Sequence, residues 1–207
     1  MRKALLVAVV VLVISLQASA QRYTIQQYLN IKSASAPSFS PDGKQIAYLS
    51  NATGTTQVWV TNVAGGTPRQ LTNYDDNVSF VRWLGDGSGM IFGKAKGGDE
   101  NTQFFWMRTD GTGVRALTDE PKVRHNFGLV TDDGKTIGYA SNKRKADYFD
   151  VYRMDIASGK ETLLYRQDGN NDLAAMNASG SKIIVSRDGT ELSLDNNLFL
   201  VDVATGK

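Results

Sequence analysis

Short apolar segments recur along the chain, and each follows a sequence typical of a tight turn. Ile46-Ala47-Tyr48-Leu49 follows Asp42-Gly43, and Ile137-Gly138-Tyr139 follows Asp133-Gly134. Asp or Ser before Gly favours the positive φ of a hairpin turn, so each unit predicts two antiparallel strands. The turn occurs four times, at Ser40–Lys44, Gly85–Gly89, Asp132–Lys135 and Ala178–Ser181.

A second marker follows each turn, an aromatic residue within another apolar strand. Trp59, Phe105, Tyr152 and Phe199 are equivalent, at spacings of 46, 47 and 47 residues. Each repeat therefore predicts strand, Asp-Gly turn, strand, loop, strand, Gly turn and strand. Four strands in about 45 residues is typical of a β-propeller blade, whose two apolar faces are buried by stacking on other blades. A β-sandwich would explain the strands but not the constant period.

The predicted fold class is therefore all-β, an incomplete β-propeller of about four four-stranded blades. A lead-in segment spans 21–34, and the blades span about 35–76, 77–122, 123–170 and 171–207. The fourth copy stops at Gly206-Lys207, where its counterparts continue for several residues. We expect the chain to be truncated within a blade and to be part of a longer protein, since a closed ring needs more blades.

The N-terminus has the pattern of a secretory signal peptide. A short basic head precedes the apolar run Ala4 to Ile14, which is too short to span a bilayer. The small residues Ala18-Ser19-Ala20 predict a signal peptide over 1–20, cleaved between Ala20 and Gln21. The alternative is an uncleaved N-terminal anchor. After cleavage we expect a periplasmic or secreted protein with no stable membrane anchor.

Composition then excludes several classes of function. Removing Arg2 and Lys3 from the 23 basic residues leaves 21, against 21 acidic residues, so the mature chain is neutral and no nucleic-acid partner is expected. The chain has no cysteine and one histidine, which excludes a disulfide framework and a zinc cluster. The acid-rich stretch Asp168–Asp172 lacks calcium-loop spacing and is interpreted as a solvated loop. No metal site or cofactor is predicted.

No catalytic residue is predicted within the chain. Gly87-Ser88-Gly89 lacks the flanking glycines of a serine-hydrolase elbow and is interpreted as a turn. His125 is the single imidazole, at the start of the innermost strand of blade three. We expect this side chain to line the central channel or to be satisfied by a neighbouring blade.

Two charged loops join the second and third strands of blades two and three. They are Lys96–Asn101 and Ser141–Asp147, and the simplest interpretation is solvated surface. The alternative is that Glu100 or Arg144 faces a peptide held beside the propeller. These two residues are the candidate substrate-binding residues.

Three segments carry a resemblance to a known family: Ser40–Tyr48, Gly97–Gln103, and Tyr139–Arg144 with Phe149–Tyr152. Together they resemble the N-terminal propeller of the prolyl oligopeptidase family, on its acylaminoacyl-peptidase and dipeptidyl-peptidase side. The resemblance implies a propeller capping a C-terminal α/β-hydrolase domain with a Ser-His-Asp triad, none of which lies in this chain. It also implies a narrow opening that admits short peptides and excludes folded proteins.

The leading hypothesis is therefore the substrate-gating propeller of an exported serine peptidase that cleaves short peptides. The chain alone would be inactive. The alternative is a non-enzymatic Tol-like periplasmic propeller that binds protein partners, because the propeller of the Tol system uses the same Ser-Pro-Asp-Gly turn. A Tol-type protein should carry a separate α/β domain before blade one, and the short segment Tyr23 to Lys32 favours the peptidase.

Overall fold

The computed structural model describes residues 23–188 and 195–207. The predicted signal peptide and the bond between Ala20 and Gln21 lie outside these residues. The chain divides into two compact units, Met1–Lys32 and Ser33–Lys207. No helix in the described part is long and apolar enough to cross a membrane.

In the first unit the described residues contain one short helix, α1 (Ile25–Leu29). Thr24 caps its N-terminus, because the Thr24 hydroxyl accepts from the Gln27 N–H at 3.2 Å. The Gln27 side chain accepts from the Thr24 N–H at 2.7 Å, which completes a capping box. None of the residues of α1 is buried.

The second unit consists of four antiparallel sheets that follow one another along the chain. In each sheet the strands are hydrogen-bonded in sequence order, and each sheet is one blade. Blade one contains β1 (Ala34–Phe39), β2 (Gln45–Ser50), β3 (Gln57–Asn62) and β4 (Arg69–Gln70); blade two β5 (Val78–Trp83), β6 (Met90–Lys94), β7 (Gln103–Met107) and β8 (Arg115–Ala116); blade three β9 (His125–Val130), β10 (Thr136–Lys145), β11 (Tyr148–Asp155) and β12 (Glu161–Tyr165); blade four β13 (Asn171–Met176), β14 (Lys182–Asp188) and β15 (Asn196–Asp202).

The hydrophobic core lies between blades, in three clusters that each join two successive sheets. In strand β6 apolar residues are consecutive and do not alternate with polar ones, and the packing explains this pattern. Phe92 packs in the cluster shared with blade one, and its neighbour Ile91 packs in the cluster shared with blade three. Both faces of the strand are buried, as in stacked blades. The predicted fold class is confirmed: the chain is all-β, and its four sheets are those of an incomplete propeller.

The repeated turn is stabilised by two hydrogen bonds that one aspartate carboxylate accepts. In blade one Asp42 accepts from the Ser40 hydroxyl at 2.6 Å and from the Lys44 N–H at 3.1 Å. These bonds lower the pKa of Asp42. Gly43 has φ 68°, a conformation that favours glycine. Asp133 makes the same bonds with Thr131 and Lys135 in blade three.

The first two repeats both end in a Leu-Thr pair, Leu71-Thr72 and Leu117-Thr118, and the threonine has a structural role. Strands β4 and β8 are only two residues long, so they supply few ladder hydrogen bonds. The buried hydroxyls of Thr72 and Thr118 accept from the N–H groups of Val58 and Phe104, each at 2.9 Å. The threonine follows the short fourth strand, and its hydroxyl therefore accepts from a backbone N–H of the third strand that the fourth strand is too short to pair.

The pairing of the first two strands shifts register in every blade. The shifts fall between Ser35 and Ser38, between Val78 and Phe80, opposite Gly138, and between Leu173 and Ala175. At Gly138 an added Cβ would lie 2.3 Å from Leu173 Cδ2. The absence of a side chain at this position therefore lets blade four approach blade three closely.

Candidate functional site

The two candidate substrate-binding residues lie at the same end of neighbouring blades. In a four-stranded meander, the connection between strands two and three lies at the end where strand one begins. Residues 95–102 make this connection in blade two, and the long hairpin of β10 and β11 makes it in blade three. We call residues 95–102, 124–125 and 142–147 the loop end.

The Gly-Gly-Asp-Glu-Asn loop is held by its aspartate. Gly97 and Gly98 both have positive φ, 65° and 78°, which explains the glycine pair. Asp99 accepts from the Asn101 N–H at 3.0 Å, and Asp76 accepts from the Gly97 N–H at 2.8 Å. The Asp99 carboxylate thus stabilises the conformation of its own loop.

Glu100, in contrast, projects into solvent, with 83% of its side chain exposed. Its carboxylate lies 3.0 Å from Nη1 of Arg124, at the start of blade three. The backbone of Arg124 makes two hydrogen bonds with Asn142. The Arg124 N–H donates to Asn142 Oδ1 at 2.8 Å, and the Arg124 carbonyl accepts from the Asn142 N–H at 3.2 Å. An exposed ion pair of this kind is worth at most about 1 kcal/mol, so Glu100 can exchange Arg124 for a cationic ligand at little cost.

Arg144 has a different environment. Its guanidinium donates two bonds to Asp150, at 2.6 and 2.8 Å, and a third to Asp168 at 2.8 Å. The Asp150 side chain is 1% exposed. The hydrogen bonds that Arg144 donates to Asp150, and then the one to Asp168, raise the pKa of Arg144. Arg144 therefore links the third strand of blade three to the loop before blade four. Contact of Glu100 or Arg144 with a peptide stays a prediction.

Two glutamines, one in blade one and one in blade two, bind the loop that leads to the next blade. The sequence analysis did not identify them. Gln57 and Gln103 occupy the position of Asp150, two residues before the repeated aromatic residue. The Gln57 amide donates to the carbonyls of Tyr74 and Asp76, at 2.9 and 3.2 Å. The Gln103 amide similarly donates to two carbonyls of the loop before blade three. The signal was present, because the two glutamines align when the repeats are superposed.

His125 is buried against blade two, one of the two environments expected for it. Nδ1 lies 3.1 Å from the Thr102 carbonyl oxygen, and Nε2 lies 3.1 Å from Oε2 of Glu120. The aromatic rings of Phe104 and Tyr139 flank the imidazole. Burial lowers the pKa of His125, and the bonds to Glu120 and Thr102 oppose this shift without outweighing it. No serine hydroxyl is among the hydrogen-bond partners of His125 in the described part of the chain.

A second group of titratable side chains, of which Tyr139 is buried and Lys143 and Glu161 are partly exposed, lies beside it. The Tyr139 hydroxyl and the Lys143 ammonium both donate to Glu161. Burial, followed by the bond to Glu161, raises the pKa of Tyr139. Burial also raises the pKa of Glu161, but the bonds from Lys143 and Tyr139 outweigh it and the net pKa is lowered. The three side chains form a satisfied structural network within blade three.

The acid-rich stretch before blade four is organised by an amide. Asn171 donates to the carbonyls of Phe149, Gln167 and Gly169, at 2.7, 2.9 and 3.2 Å. Asp168 is exposed and bound to Arg144. Within residues 23–188 and 195–207, no group of three or more His, Cys, Asp or Glu side chains is placed to hold a metal ion.

The family described as TolB beta propeller domain, PD40, matches residues 8–206. The chain belongs to this family. Its four sheets are thus blades of a PD40 propeller.

One curated relative of this PD40 chain is dipeptidyl aminopeptidase BIII of Pseudoxanthomonas mexicana, 26% identical over 132 residues. The match covers 62% of the chain but only 19% of that protein. The prolyl oligopeptidase-family resemblance is confirmed. The chain therefore spans about a fifth of this relative.

Solved structures share the fold. TolB from Acinetobacter baumannii superposes with a TM-score of 0.64 at 22% identity, covering 85% of this chain and 42% of TolB. A puromycin hydrolase superposes with a TM-score of 0.63 at 14% identity, covering 84% of this chain and 28% of the hydrolase. The PD40 propeller is thus related to peptidase propellers and to TolB alike.

Proposed function

We propose that the chain is the substrate-gating propeller of an exported serine peptidase that cleaves short peptides, with its α/β-hydrolase domain outside these residues. The observation that carries this proposal is the similarity to dipeptidyl aminopeptidase BIII. The protein is periplasmic or secreted after removal of residues 1–20. The partners of the whole protein are short peptide substrates.

The loop end supplies the residues that face the peptide in this proposal. Glu100 is an exposed carboxylate whose partner, Arg124, is itself partly exposed. A peptide with a free amino terminus replaces Arg124 and pairs with Glu100. Arg144 is committed to Asp150 and Asp168, so its contribution is to hold the neighbouring hairpin in position. The catalytic serine, histidine and aspartate belong to the hydrolase domain.

The proposal is tested on the product of the complete gene and on the 207-residue chain. The complete protein should hydrolyse a dipeptidyl p-nitroanilide and react with a fluorophosphonate probe at a serine outside residues 23–207. The 207-residue chain should do neither, because its sequence contains no serine-hydrolase elbow and none of the described serines bonds to His125. Labelling of a serine within the chain would contradict the proposal.

A matched pair of variants in the complete protein tests the role of Glu100. Glu100→Gln should raise KM for peptides with a free amino terminus and leave N-acetylated peptides unaffected. Asp147→Asn removes a charge from the exposed tip of the neighbouring hairpin and should leave both KM values unchanged. Equal effects of the two variants would exclude a specific contact at Glu100.

A second candidate is a Tol-like periplasmic propeller that binds protein partners without catalysis. The match to the TolB beta propeller domain over residues 8–206 favours it. The same experiment separates the two candidates. A complete protein that is never labelled by the probe, hydrolyses no peptide and forms a stable complex with another periplasmic protein would support the Tol-like function.

A further inference from the structure

Each joint between successive blades brings together two different sheet faces. In the joint of blades one and two, blade one contributes Val58 and Val60 of β3 to a buried cluster. Blade two contributes Trp83, Met90 and Phe92 to the same cluster. We call the face of a blade that is turned toward the next blade its forward face, and the face turned toward the preceding blade its backward face. A joint needs one face of each kind.

The same pairing of faces recurs in the other two joints. Phe104 on the forward face of blade two packs with Ile137 and Tyr139 on the backward face of blade three. Val151 on the forward face of blade three packs with Ile183 and Val185 on the backward face of blade four. The strand pairing places these residues at positions equivalent to those of the first joint. One type of joint is thus used three times.

The forward face of blade four is exposed. Successive side chains of a strand point to opposite faces, so Leu198 and Leu200 lie on the face opposite the buried Val201. They occupy the positions of Val58 and Val60 in blade one. Leu198 and Leu200 are 69% and 68% exposed, whereas Val58 and Val60 are 0% and 4% exposed. Blade four therefore displays an apolar surface that is buried in the other joints.

The backward face of blade one is also exposed. Phe39 occupies the position of Trp83 in blade two. Phe39 is 60% exposed, whereas Trp83 is 7% exposed. Ile46 and Tyr48 on the same face are partly exposed, and their counterparts in blade two are fully buried. The molecule thus displays both halves of its own blade joint.

We propose that the 207-residue chain pairs with a second copy of itself, so that the forward face of blade four in each copy covers the backward face of blade one in the other. Because two different surfaces meet, the contact either closes into a ring or continues as a filament. Four blades from each of two copies give eight, which is within the usual range of about four to eight blades. Three copies would exceed this range, so the contact closes as a dimer.

The polar positions of the inner strands are compatible with this contact. In the joint of blades three and four, the Asn126 amide donates to the Asp172 carboxylate at 3.0 Å. Ser35 occupies the equivalent position in blade one. In the proposed joint, the Ser35 hydroxyl of one copy is therefore the donor and Asp172 of the other is the acceptor. No like charges meet at this position.

The proposal does not rest on the peptidase function, which is measured on the complete gene product, where further blades would cover the same two faces. The mass of the 207-residue chain tests the closed ring, because a ring of two copies leaves no face open. Light scattering after size exclusion should give twice the mass of one chain, and this mass should not change between low and high micromolar concentration. A mass of one chain, or a mass that grows with concentration as in a filament, would overturn the proposal.

Variants of the two faces test which surfaces meet. Leu198→Lys with Leu200→Lys places charge on the forward face of blade four, and Phe39→Lys places charge on the backward face of blade one. Each variant alone should be a monomer, because every joint then contains one charged face. An equal mixture of the two should give a species of twice the mass, because each variant supplies one intact face. Leu163→Lys is the control and should remain dimeric, because Leu163 is 45% exposed in blade three, both faces of which are covered.

A contact between two identical faces would give a different result. Substitution of one face would then abolish association, and substitution of the other would have no effect. That result, or a mixture that stays monomeric, would refute the proposed pairing. Residues 1–32 are the same in every variant, so the comparison isolates the two faces. Urea unfolding checks that each variant folds, and Leu198→Ser with Leu200→Ser replaces the lysine pair if that pair does not.

Discussion

Replacing Gln57 by methionine tests whether one buried amide holds the loop between blades one and two. Methionine keeps the volume of the side chain and removes both of its polar atoms. The Gln57 side chain is fully buried, and its amide takes part in five hydrogen-bond contacts, three of which share the two amide hydrogens. Its amide donates to the Thr55 hydroxyl and to the carbonyls of Tyr74 and Asp76, and its oxygen accepts from the Thr72 hydroxyl and the Tyr74 N–H.

A typical intramolecular hydrogen bond contributes about 1 kcal/mol net, so the four hydrogens in these contacts, two from the amide, one from Thr72 and one from Tyr74, give about 4 kcal/mol. Tyr74 and Asp76 are not fully buried, so water replaces part of what their backbone groups lose. We therefore expect Gln57→Met to lower the free energy of unfolding by about 2 to 4 kcal/mol. Because the free energy of unfolding of a typical domain is about 5 to 15 kcal/mol, this loss would be a large fraction of the total.

Urea unfolding with linear extrapolation measures this loss. Gln45→Met is the matched control, because Gln45 makes a single side-chain bond of 3.3 Å to Asn62 near the surface. The control should cost less than about 1 kcal/mol. If Gln57→Met costs no more than Gln45→Met, the amide does not hold the loop.

Gly138→Ala should cost about 1 to 3 kcal/mol in urea unfolding, since its Cβ would overlap Leu173, and combination with Leu173→Ala should recover part of the loss; strict additivity would count against this contact. The lowered pKa of Glu161 means that its contribution is present above the ordinary value of 4.5 and is lost as the pH falls through the lowered one. Unfolding midpoints below pH 4.5 should therefore fall less steeply in Glu161→Gln than in wild type, and parallel curves would contradict this. Leu198 and Leu200 on β15 are 69% and 68% exposed, so the 207-residue chain should self-associate and the double lysine variant should not, as measured by light scattering after size exclusion.

The blades could be predicted from sequence because their determinants are local and repeated. Asp42-Gly43 forms its turn through bonds within five residues. The repeated aromatic residue marks the third strand of its blade, which in blades two and three contributes core residues on both faces. The register shifts of the first strands were not predicted. The shift opposite Gly138 accompanies the packing of Leu173 from the next blade, which no local pattern contains.

The candidate site was less accessible to sequence reasoning. The position of Glu100 on an exposed loop could be predicted, because the segment Lys96–Asn101 is charged and contains a pair of glycines. The partners of Arg144, in contrast, are Asp150 and Asp168, six and 24 residues away, and spacing alone does not specify such pairs. His125 could be placed in a strand from the repeat, but not paired with Glu120, which lies in the connection between two blades.

The contact of Leu173 with Gly138 bears on how a chain of similar repeats assembles in the right order. Repeated units can dock on the wrong neighbour during folding, a characteristic failure of repeat proteins. In blade two the position of Gly138 is taken by the bulky Ile91, as the pairing of Phe92 and Tyr139 with the repeated aromatic residues shows. Blade four docked on blade two would press Leu173 against Ile91. The absence of a side chain at Gly138 thus favours docking of blade four on blade three over docking on blade two.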